Sequence, residues 1–294
     1  MSKLVLLIVS FLLTNTSIWA FDLAPNERKA LVELYNNTDG DNWKTSWDLD
    51  APVSTWKGVE ISLGHVTALN LFANNLSGVL PESIGELTQL VNLNLAFNKI
   101  TGQLPKDIIR LKNLRILKLE MNRIKGNLPS GIGNLSQLEE FSIFNNFLTG
   151  PIPDSFGEMK QLKILNLSSN NLRGIIPESI GNLAQLEKLG LFENALEGNI
   201  PSDMGRLGNL KELVLANNAL KGDIPSEIAQ LTNLEIFQIQ NNQFDSYKAL
   251  YLMNKEQFLV FDTDDKNFKL DLKEINFDKT RMADTKFEDN DDNE

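Results

Sequence analysis

The stretch LVNLNLAFNKITGQLPKDIIRLKN at residues 90–113 is followed directly by LRILKLEMNRIKGNLPSGIGNLSQ at residues 114–137. The two stretches align without a gap, and VTALNLFANNLSGVLPESIGELTQ, which precedes them from Val66, has the same pattern. Further blocks of 24 residues begin at Leu138, Leu162, Leu186, Leu210 and Leu234. Self-similarity at a fixed period of this length is typical of solenoids, in which each block buries its apolar face by stacking on its neighbours.

Each block follows the pattern LxxLxLxxNxLxGxIPxxIGxLxx, with Leu and Ile interchangeable at the apolar positions. The alternation in Leu93-Asn94-Leu95 predicts a short strand with one buried face, and stacking of blocks pairs such strands into a parallel sheet. Eight strands at about 4.8 Å spacing make an arc roughly 34 Å long. The proline that follows each glycine predicts an extended step and then a short helical turn on the opposite side.

An asparagine recurs where each block leaves its predicted strand. An asparagine amide has two N–H donors and a carbonyl acceptor, so we expect it to satisfy backbone groups of neighbouring turns. This structural column consists of Asn74, Asn98, Asn122, Asn146, Asn170, Asn194, Asn218 and Asn242.

The repeated pattern resembles the leucine-rich-repeat family, and specifically its plant-type subclass, which is marked by the Gly-x-Ile/Leu-Pro step and the later Ile-Gly-x-Leu. The resemblance covers about residues 27–244 and extends to secreted bacterial members, to the ectodomains of plant receptor kinases and to polygalacturonase-inhibiting proteins. It implies an α/β solenoid, a right-handed superhelix with a curved parallel β-sheet on the concave side. Short 3₁₀ or irregular turns on the convex side and a helical N-terminal cap complete the implied fold.

The repeats divide the chain into four predicted segments. Residues 1–20, MSKLVLLIVSFLLTNTSIWA, have the lysine, the apolar run and the small terminal residue of a secretory signal peptide. Residues 21–65 form an N-terminal capping region, residues 66–257 the eight repeats, of which the last is degenerate, and residues 258–294 the remainder of a C-terminal cap and an acidic tail. We therefore expect an exported protein, secreted or periplasmic, with no transmembrane anchor.

The capping region contains a predicted helix over residues 27–35 with Asn26 as its N-cap, followed by Trp43, Trp47 and Trp56. It resembles the N-terminal cap of the same family in ERKALVELYNNTDGDNW and in the later WKGV. Many relatives carry a cysteine pair around the latter step, whereas this chain has Ser54 and Ile61 there and no cysteine anywhere. The tryptophans must therefore close this end by packing.

Composition excludes several classes of function. The net charge of -11 and the absence of a basic run argue against a nucleic-acid partner. Without cysteine, and with His65 as the single histidine, thiolate chemistry is excluded and little remains for an imidazole base or a metal site. Packing against the tryptophan-rich cap is the expected role of His65. We expect no metal and no cofactor; a calcium site at Asp262, Asp264 and Asp265 is the alternative, although an EF-hand glycine and distal glutamate are missing.

The residues between the buried leucines should form the concave sheet surface, the usual ligand face of a solenoid. Two columns of this surface carry an apolar strip with two charged residues in its middle. The strip consists of Phe72, Phe97, Met121, Phe144 and Phe192, and the charged residues are Lys118 and Glu120. Either the strip contacts a ligand, or its rings fold over the turns and shield backbone.

The hypothesis from the sequence is a secreted, non-catalytic protein that binds an extracellular protein or a carbohydrate. The alternatives are an inhibitor of an extracellular enzyme, a surface adhesin, and a hydrolase with an acidic pair that the pattern does not reveal. The sequence makes no prediction of oligomeric state.

Overall fold

The computed structural model describes residues 23–268, so the predicted signal peptide and most of the acidic tail lie outside the described residues. One α-helix, α1 at Pro25–Asn37, comes first, and short strands with single 3₁₀ turns follow it. The strands are β1 Val59–Ser62, β2 His65–Asn70, β3 Ser77–Val79, β4 Asn92–Asn94, β5 Lys99–Gly102, β6 Ile116–Lys118, β7 Arg123–Gly126, β8 Glu140–Ser142, β9 Phe147–Gly150, β10 Ile164–Asn166, β11 Asn171–Gly174, β12 Lys188–Gly190, β13 Ala195–Gly198, β14 Glu212–Val214, β15 Ala219–Asp223, β16 Ile236–Gln238, β17 Gln243–Ser246 and β18 Val260–Asp262.

A ten-stranded sheet forms the concave face, in the order β1-β2-β4-β6-β8-β10-β12-β14-β16-β18. From β2 onward the strands are parallel, and each residue lies beside the one 24 positions later, as Leu165 lies beside Leu189. Two strands lie outside the eight predicted ones: β1, which pairs antiparallel with β2, and β18, which pairs parallel with β16. The predicted solenoid with a parallel sheet and an N-terminal helix is confirmed.

A second sheet, which the sequence pattern did not predict, lies where each block passes its repeated glycine. Its eight strands follow the order β17-β15-β13-β11-β9-β7-β5-β3, and all pair in parallel. Gly102, the last residue of β5, has a φ of 81°, a left-handed conformation that favours glycine. The chain therefore makes two ladders of backbone hydrogen bonds per coil.

Short 3₁₀ turns form the convex side, and most begin directly after the repeated proline. Pro81, for example, precedes the turn at Glu82–Glu86, because proline fixes φ and has no N–H to leave unpaired. The others on this side are Lys106–Arg110, Ile132–Asn134, Asp154–Glu158, Glu178–Asn182, Ser202–Arg206, Ser226–Gln230 and Lys248–Leu252.

The core is one continuous column of apolar side chains between the two sheets and the convex turns. Leu93, Leu117 and the corresponding leucines of the other coils are fully buried. In the fourth block Phe141 takes the place of a strand leucine, and its ring packs edge-on against Phe156 at a centroid distance of 5.7 Å. Each coil therefore depends on its neighbours for burial, as a solenoid requires.

The N-terminal cap closes the first coil with α1 and an aromatic stack. The helix begins at Pro25, and Ala24 rather than Asn26 is its N-cap; the amide of Asn26 instead donates to Glu86 at 3.1 Å. Trp47 stacks on Trp56 at 4.8 Å and meets Trp43 edge-on at 4.9 Å. The three indole N–H groups donate to the backbone carbonyls of Thr38, Lys57 and Asp48. Packing and hydrogen bonds thus replace a crosslink at this end.

The last coil is covered by an aromatic group. Phe261 lies 4.9 Å from Phe258 and 4.6 Å from Phe268, while Phe237 meets it edge-on at 5.5 Å. Among residues 23–268, no helix has the length and apolar character needed to cross a membrane.

Candidate functional site

The concave face is built from coils that differ mainly in their solvent-facing residues. In the coils from β4 to β16, the apolar residue at the centre of the strand and the one two positions later point into the core, as Leu93 and Leu95 do, and the residue between them faces outward. The buried scaffold is therefore nearly constant, whereas the outward positions carry the chemistry of the surface.

The predicted strip lies beyond the ends of the strands and not on them. For example, β4 ends at Asn94, and Phe97 follows three residues later. Its N–H still donates to the carbonyl of Glu120 at 2.9 Å, so the coils remain joined through the turn. The residues at the same position as Phe97 in the other coils form a column with it, and every member has a φ between 50° and 58°. The column consists of Ala73, Phe97, Met121, Asn145, Ser169, Glu193, Asn217 and Asn241. The period-two pattern gave no sign of this left-handed position.

Phe72 and Phe97 are brought together at the N-terminal end of this surface. Their ring centroids lie 5.2 Å apart, and the two residues are 51% and 46% exposed. The rings therefore do not fold into the turn, but form a half-exposed aromatic pair.

The other members of the strip are less exposed than this pair. Met121, Phe144 and Phe192 are half-buried, and Phe192 packs against an apolar cluster of Val214, Ile236 and Val260. The three cluster residues lie on neighbouring strands at the C-terminal end of the concave face. The concave face therefore has an apolar cluster beside Phe192 that the predicted strip does not include, because the members of the cluster occupy other positions, on the strands.

Two ion pairs add charge to the face. Lys118 on β6 pairs with Glu140 on β8 at 2.9 Å, between the aromatic pair and the cluster. Lys188 on β12 pairs at 2.6 Å with Glu212, which shares β14 with Val214. Burial raises the pKa of Glu120 above its usual value, although the charge of Lys118 and a hydrogen bond with Ser142 partly offset the effect. The centre of the face therefore offers paired charges and a partly buried carboxyl group.

The asparagine column holds adjacent coils together. The side-chain N–H of Asn170 donates to the carbonyls of Ile143 and Leu167, both at 3.1 Å. Its side-chain oxygen accepts the N–H of Leu148 at 3.0 Å. The members Asn98, Asn122, Asn146, Asn194, Asn218 and Asn242 donate to carbonyls of two coils in the same way. Asn74, in the first coil, instead exchanges hydrogen bonds with Thr45 of the cap.

His65 contacts the cap helix. Its Nδ1 lies 2.8 Å from the buried carboxylate of Glu27, which also accepts the N–H of Val66. His65 therefore contacts the capping region through a polar interaction with α1.

The three aspartates considered for calcium have separate partners. Asp262 accepts from the Gln238 amide at 2.7 Å, Asp264 from the backbone N–H of Asn242 at 3.4 Å, and Asp265 from the Tyr251 hydroxyl at 2.9 Å. Within residues 23–268, no three or more carboxylates and imidazoles are grouped as metal ligands.

Two features escaped sequence reasoning because neither follows the apolar pattern. One is a shallow groove of about 600 Å³ between the β1–β2 hairpin and the next two coils. It is lined by Ser62, Leu63, His65, Thr67, Gln89, Val91, Asn113, Arg115 and Gln137. The other is a column of charged residues directly before the strands, whose 24-residue recurrence is visible in the sequence once the strand starts are known.

Three family models match the chain. They are described as leucine-rich repeat region at residues 61–169, leucine rich repeat at residues 161–183 and leucine rich repeats (2 copies) at residues 208–251. The chain belongs to the leucine-rich-repeat family.

Solved ectodomains of plant receptors share this leucine-rich-repeat fold. The ectodomain of the plant membrane receptor kinase GASSHO1/SCHENGEN3 from Arabidopsis thaliana, in complex with CASPARIAN STRIP INTEGRITY FACTOR 2, has a TM-score of 0.76 and 32% identity over 80% of this chain and 29% of that chain. The Arabidopsis receptor kinase HAESA, in complex with the peptide hormone IDA and the co-receptor SERK1, has a TM-score of 0.71 and 29% identity over 82% of this chain and 42% of that chain. This leucine-rich-repeat protein therefore spans less than half the length of either ectodomain.

Proposed function

We propose that this leucine-rich-repeat protein is a secreted, non-catalytic binding protein that recognises an extracellular protein through its concave face. The observation that carries the proposal is the Phe72–Phe97 pair, whose rings touch at 5.2 Å and remain about half exposed. Aromatic side chains are enriched in the energetic centres of protein interfaces, because they bury a large apolar area at a small cost in conformational entropy.

The rest of the concave face supports a protein ligand. The ion pair Lys118–Glu140 lies between the aromatic pair and the apolar cluster around Phe192, and the ion pair Lys188–Glu212 lies beside that cluster. Apolar anchors among charged groups are the usual composition of a protein interface. The receptor ectodomain of similar fold that was solved with a peptide hormone gives further support.

Binding is tested with two defined probe sets, a displayed library of random peptides and an array of glycans. We expect peptides to be enriched and their binding to fall at least about tenfold in Phe72→Ser/Phe97→Ser. The matched control is Phe147→Ser, because Phe147 is 55% exposed and lies on the second sheet. Equal loss in the control, or binding to glycans alone, would contradict recognition of a protein at this site.

Export is supported by residues 1–20, whose lysine, apolar run and terminal Ala20 follow the layout of a signal peptide. Expression of the full chain in its own host, followed by N-terminal sequencing of the protein from the medium, tests this. We expect a mature protein that begins at Phe21. Retention in the cells with residues 1–20 intact would contradict secretion.

The absence of catalysis is tested separately. Incubation of the purified protein with polysaccharides and peptides should give saturable binding without products. Turnover that persists through purification and disappears with the folded protein would overturn the non-catalytic assignment.

A further inference from the structure

A column of alternating charge runs along one rim of the concave face. Each member lies immediately before a strand of the ten-stranded sheet, and neighbouring members are joined by a backbone N–H to carbonyl hydrogen bond of 2.8 Å. We call it the rim column; in order it consists of Val91, Arg115, Glu139, Lys163, Glu187, Lys211, Glu235 and Leu259. Six consecutive charges thus alternate in sign, with one apolar residue at each end.

The rim column is complementary to itself when it is reversed. Counted from opposite ends, Arg115 matches Glu235, Glu139 matches Lys211, and Lys163 matches Glu187. The apolar ends, Val91 and Leu259, also match each other, and they are 37% and 36% exposed. A two-fold axis between Lys163 and Glu187 would therefore bring every member opposite a complementary residue of a second copy, as an isologous interface requires.

We propose that two copies of this chain associate through their rim columns, antiparallel about that axis. The proposal is independent of the ligand on the concave face. Two further observations support a second copy of this chain as the partner that binds the rim column.

The first observation is charge. Each copy has a net charge of -11, so two copies repel over most of their surface. The rim column contains three cations and three carboxylates and is neutral. A column of side-chain amides lies beside the rim column, two residues earlier in each coil. Each amide can both donate and accept hydrogen bonds, so it can pair with an amide of a second copy. These are Gln89, Asn113, Gln137, Gln161, Gln185, Asn209, Asn233 and Gln257.

The second observation is the groove of about 600 Å³ at the Val91 end of the column. Leu63 at its wall is 74% exposed, and its lining includes His65 and Arg115 but no carboxylate. The antiparallel arrangement places Leu259 and Glu235 of the other copy here. The groove therefore offers an apolar surface for the leucine and positive charge for the glutamate.

Ion pairs within one chain leave the cations of the rim column accessible to a second copy. Arg115 and Lys163 both pair with Glu139, and Lys211 pairs with Glu187 at 2.7 Å. The side chains of Arg115, Lys163 and Lys211 nevertheless remain 60%, 46% and 49% exposed. Exposed ion pairs of this kind contribute little to stability, so the same side chains can also interact with charged residues of a second copy at little cost to the fold.

The size of the contact sets the expected strength. Eight strands at about 4.8 Å spacing give a strip roughly 34 Å long. A strip two side chains wide buries on the order of 400 Å² per copy, about half of what a standard stable interface buries. We therefore expect a weak, reversible dimer that weakens further as salt screens the charges.

The test uses sedimentation velocity of the purified protein over a wide range of concentration. Lys163→Glu sets two carboxylates against each other on both sides of the two-fold axis, and Glu187→Lys likewise sets two ammonium groups against each other. We expect either variant alone to dimerise at least about tenfold more weakly. Mixed in equal amounts, the two variants should form a heterodimer more readily than either forms a homodimer, because opposite charges then face each other on both sides of the axis.

The matched controls are Lys221→Glu and Glu197→Lys, which make the same charge changes at exposed positions of the second sheet. They should dimerise like the wild type, and circular dichroism checks that all variants are folded. A wild-type protein that stays monomeric at the highest soluble concentration would overturn the proposal. So would a dimer that the rim variants leave unchanged, or a mixture of the two variants that associates no better than each variant alone.

Discussion

The carboxylate of Glu27 in α1 accepts a hydrogen bond from the backbone N–H of Val66 at 2.6 Å. Glu27 is 1% exposed, and its other oxygen lies 2.8 Å from Nδ1 of His65. A single side chain thus joins the cap helix to the first parallel strand, across a separation of 39 residues in the chain.

Glu27→Ala should destabilise the fold by about 2–3 kcal/mol, because it leaves a buried backbone N–H without an acceptor. The measurement is urea unfolding at neutral pH. Glu33→Ala is the control, since Glu33 lies on the same helix and makes only a 3.7 Å contact with the exposed Lys29. Equal free energies of unfolding for the two variants would show that the hydrogen bond to Val66 does not hold the cap.

Asn170→Ala should lower the free energy of unfolding by roughly 2–4 kcal/mol, because it removes a buried amide that is hydrogen-bonded to the backbone of Leu148, Ile143 and Leu167. Asn171→Ala is the adjacent control: Asn171 is exposed, and we expect a change within about 0.5 kcal/mol. Chemical denaturation of both variants measures the difference. Comparable losses would mean that general strand propensity, and not the asparagine column, determines the cost.

The solenoid was predictable from the sequence because its requirements recur with the period of the chain. A leucine, asparagine or proline repeated every 24 residues reports the same backbone environment each time, so the blocks reinforce one another as evidence. Contacts that occur once carry no such signal. Asn26 looked like a helix cap, for example, yet the helix begins two residues earlier than predicted, at Pro25, and Asn26 contacts Glu86.

The candidate site was less predictable for a related reason. Phe72 and Phe97 occupy different columns of consecutive blocks, and only the turn between them brings their rings together. The cluster of Val214, Ile236 and Val260 combines two strand positions of three coils, so no single column reveals it. The neighbours of an outward-facing residue depend on the geometry of the coil, which apolar periodicity does not specify.

Gly78→Ala should destabilise the protein by about 2–4 kcal/mol. Gly78 has a φ of 129°, and a Cβ there would lie 2.1 Å from the backbone oxygen of Asn37 at the end of α1. Gly208→Ala is the control, because Gly208 has no positive φ and no atom within 4 Å of the added Cβ. We expect it to be neutral or to stabilise by up to about 1 kcal/mol by restricting the unfolded chain. Thermal unfolding of both variants decides; similar midpoints would contradict close approach of α1 to β3.

Glu120 and Glu139 should give stability changes of opposite sign as the pH is varied. Burial raises the pKa of Glu120, so between its usual and its raised pKa the native state binds more protons than the unfolded state. The free energy of unfolding therefore falls as the pH rises through that window. Hydrogen bonds from Lys163 and Arg115 lower the pKa of Glu139, so its contribution is present above the usual carboxylate pKa and is lost on acidification.

Glu120→Gln should consequently be more stable than the wild type at neutral pH and should lose that advantage as the pH falls towards about 4, where the wild-type carboxyl becomes protonated in both states. Glu139→Gln should be less stable than the wild type at neutral pH, and this deficit should persist down to the usual carboxylate pKa and shrink only below it. Urea unfolding from neutral pH to below the usual carboxylate pKa, at protein concentrations low enough to keep the chain monomeric, gives both differences. The two variants serve as controls for each other, because a general effect of removing a carboxylate from an acidic protein would shift both in the same direction. A Glu120→Gln variant that is destabilised at neutral pH would mean that the pairing of Glu120 with Lys118 and Ser142 outweighs its burial.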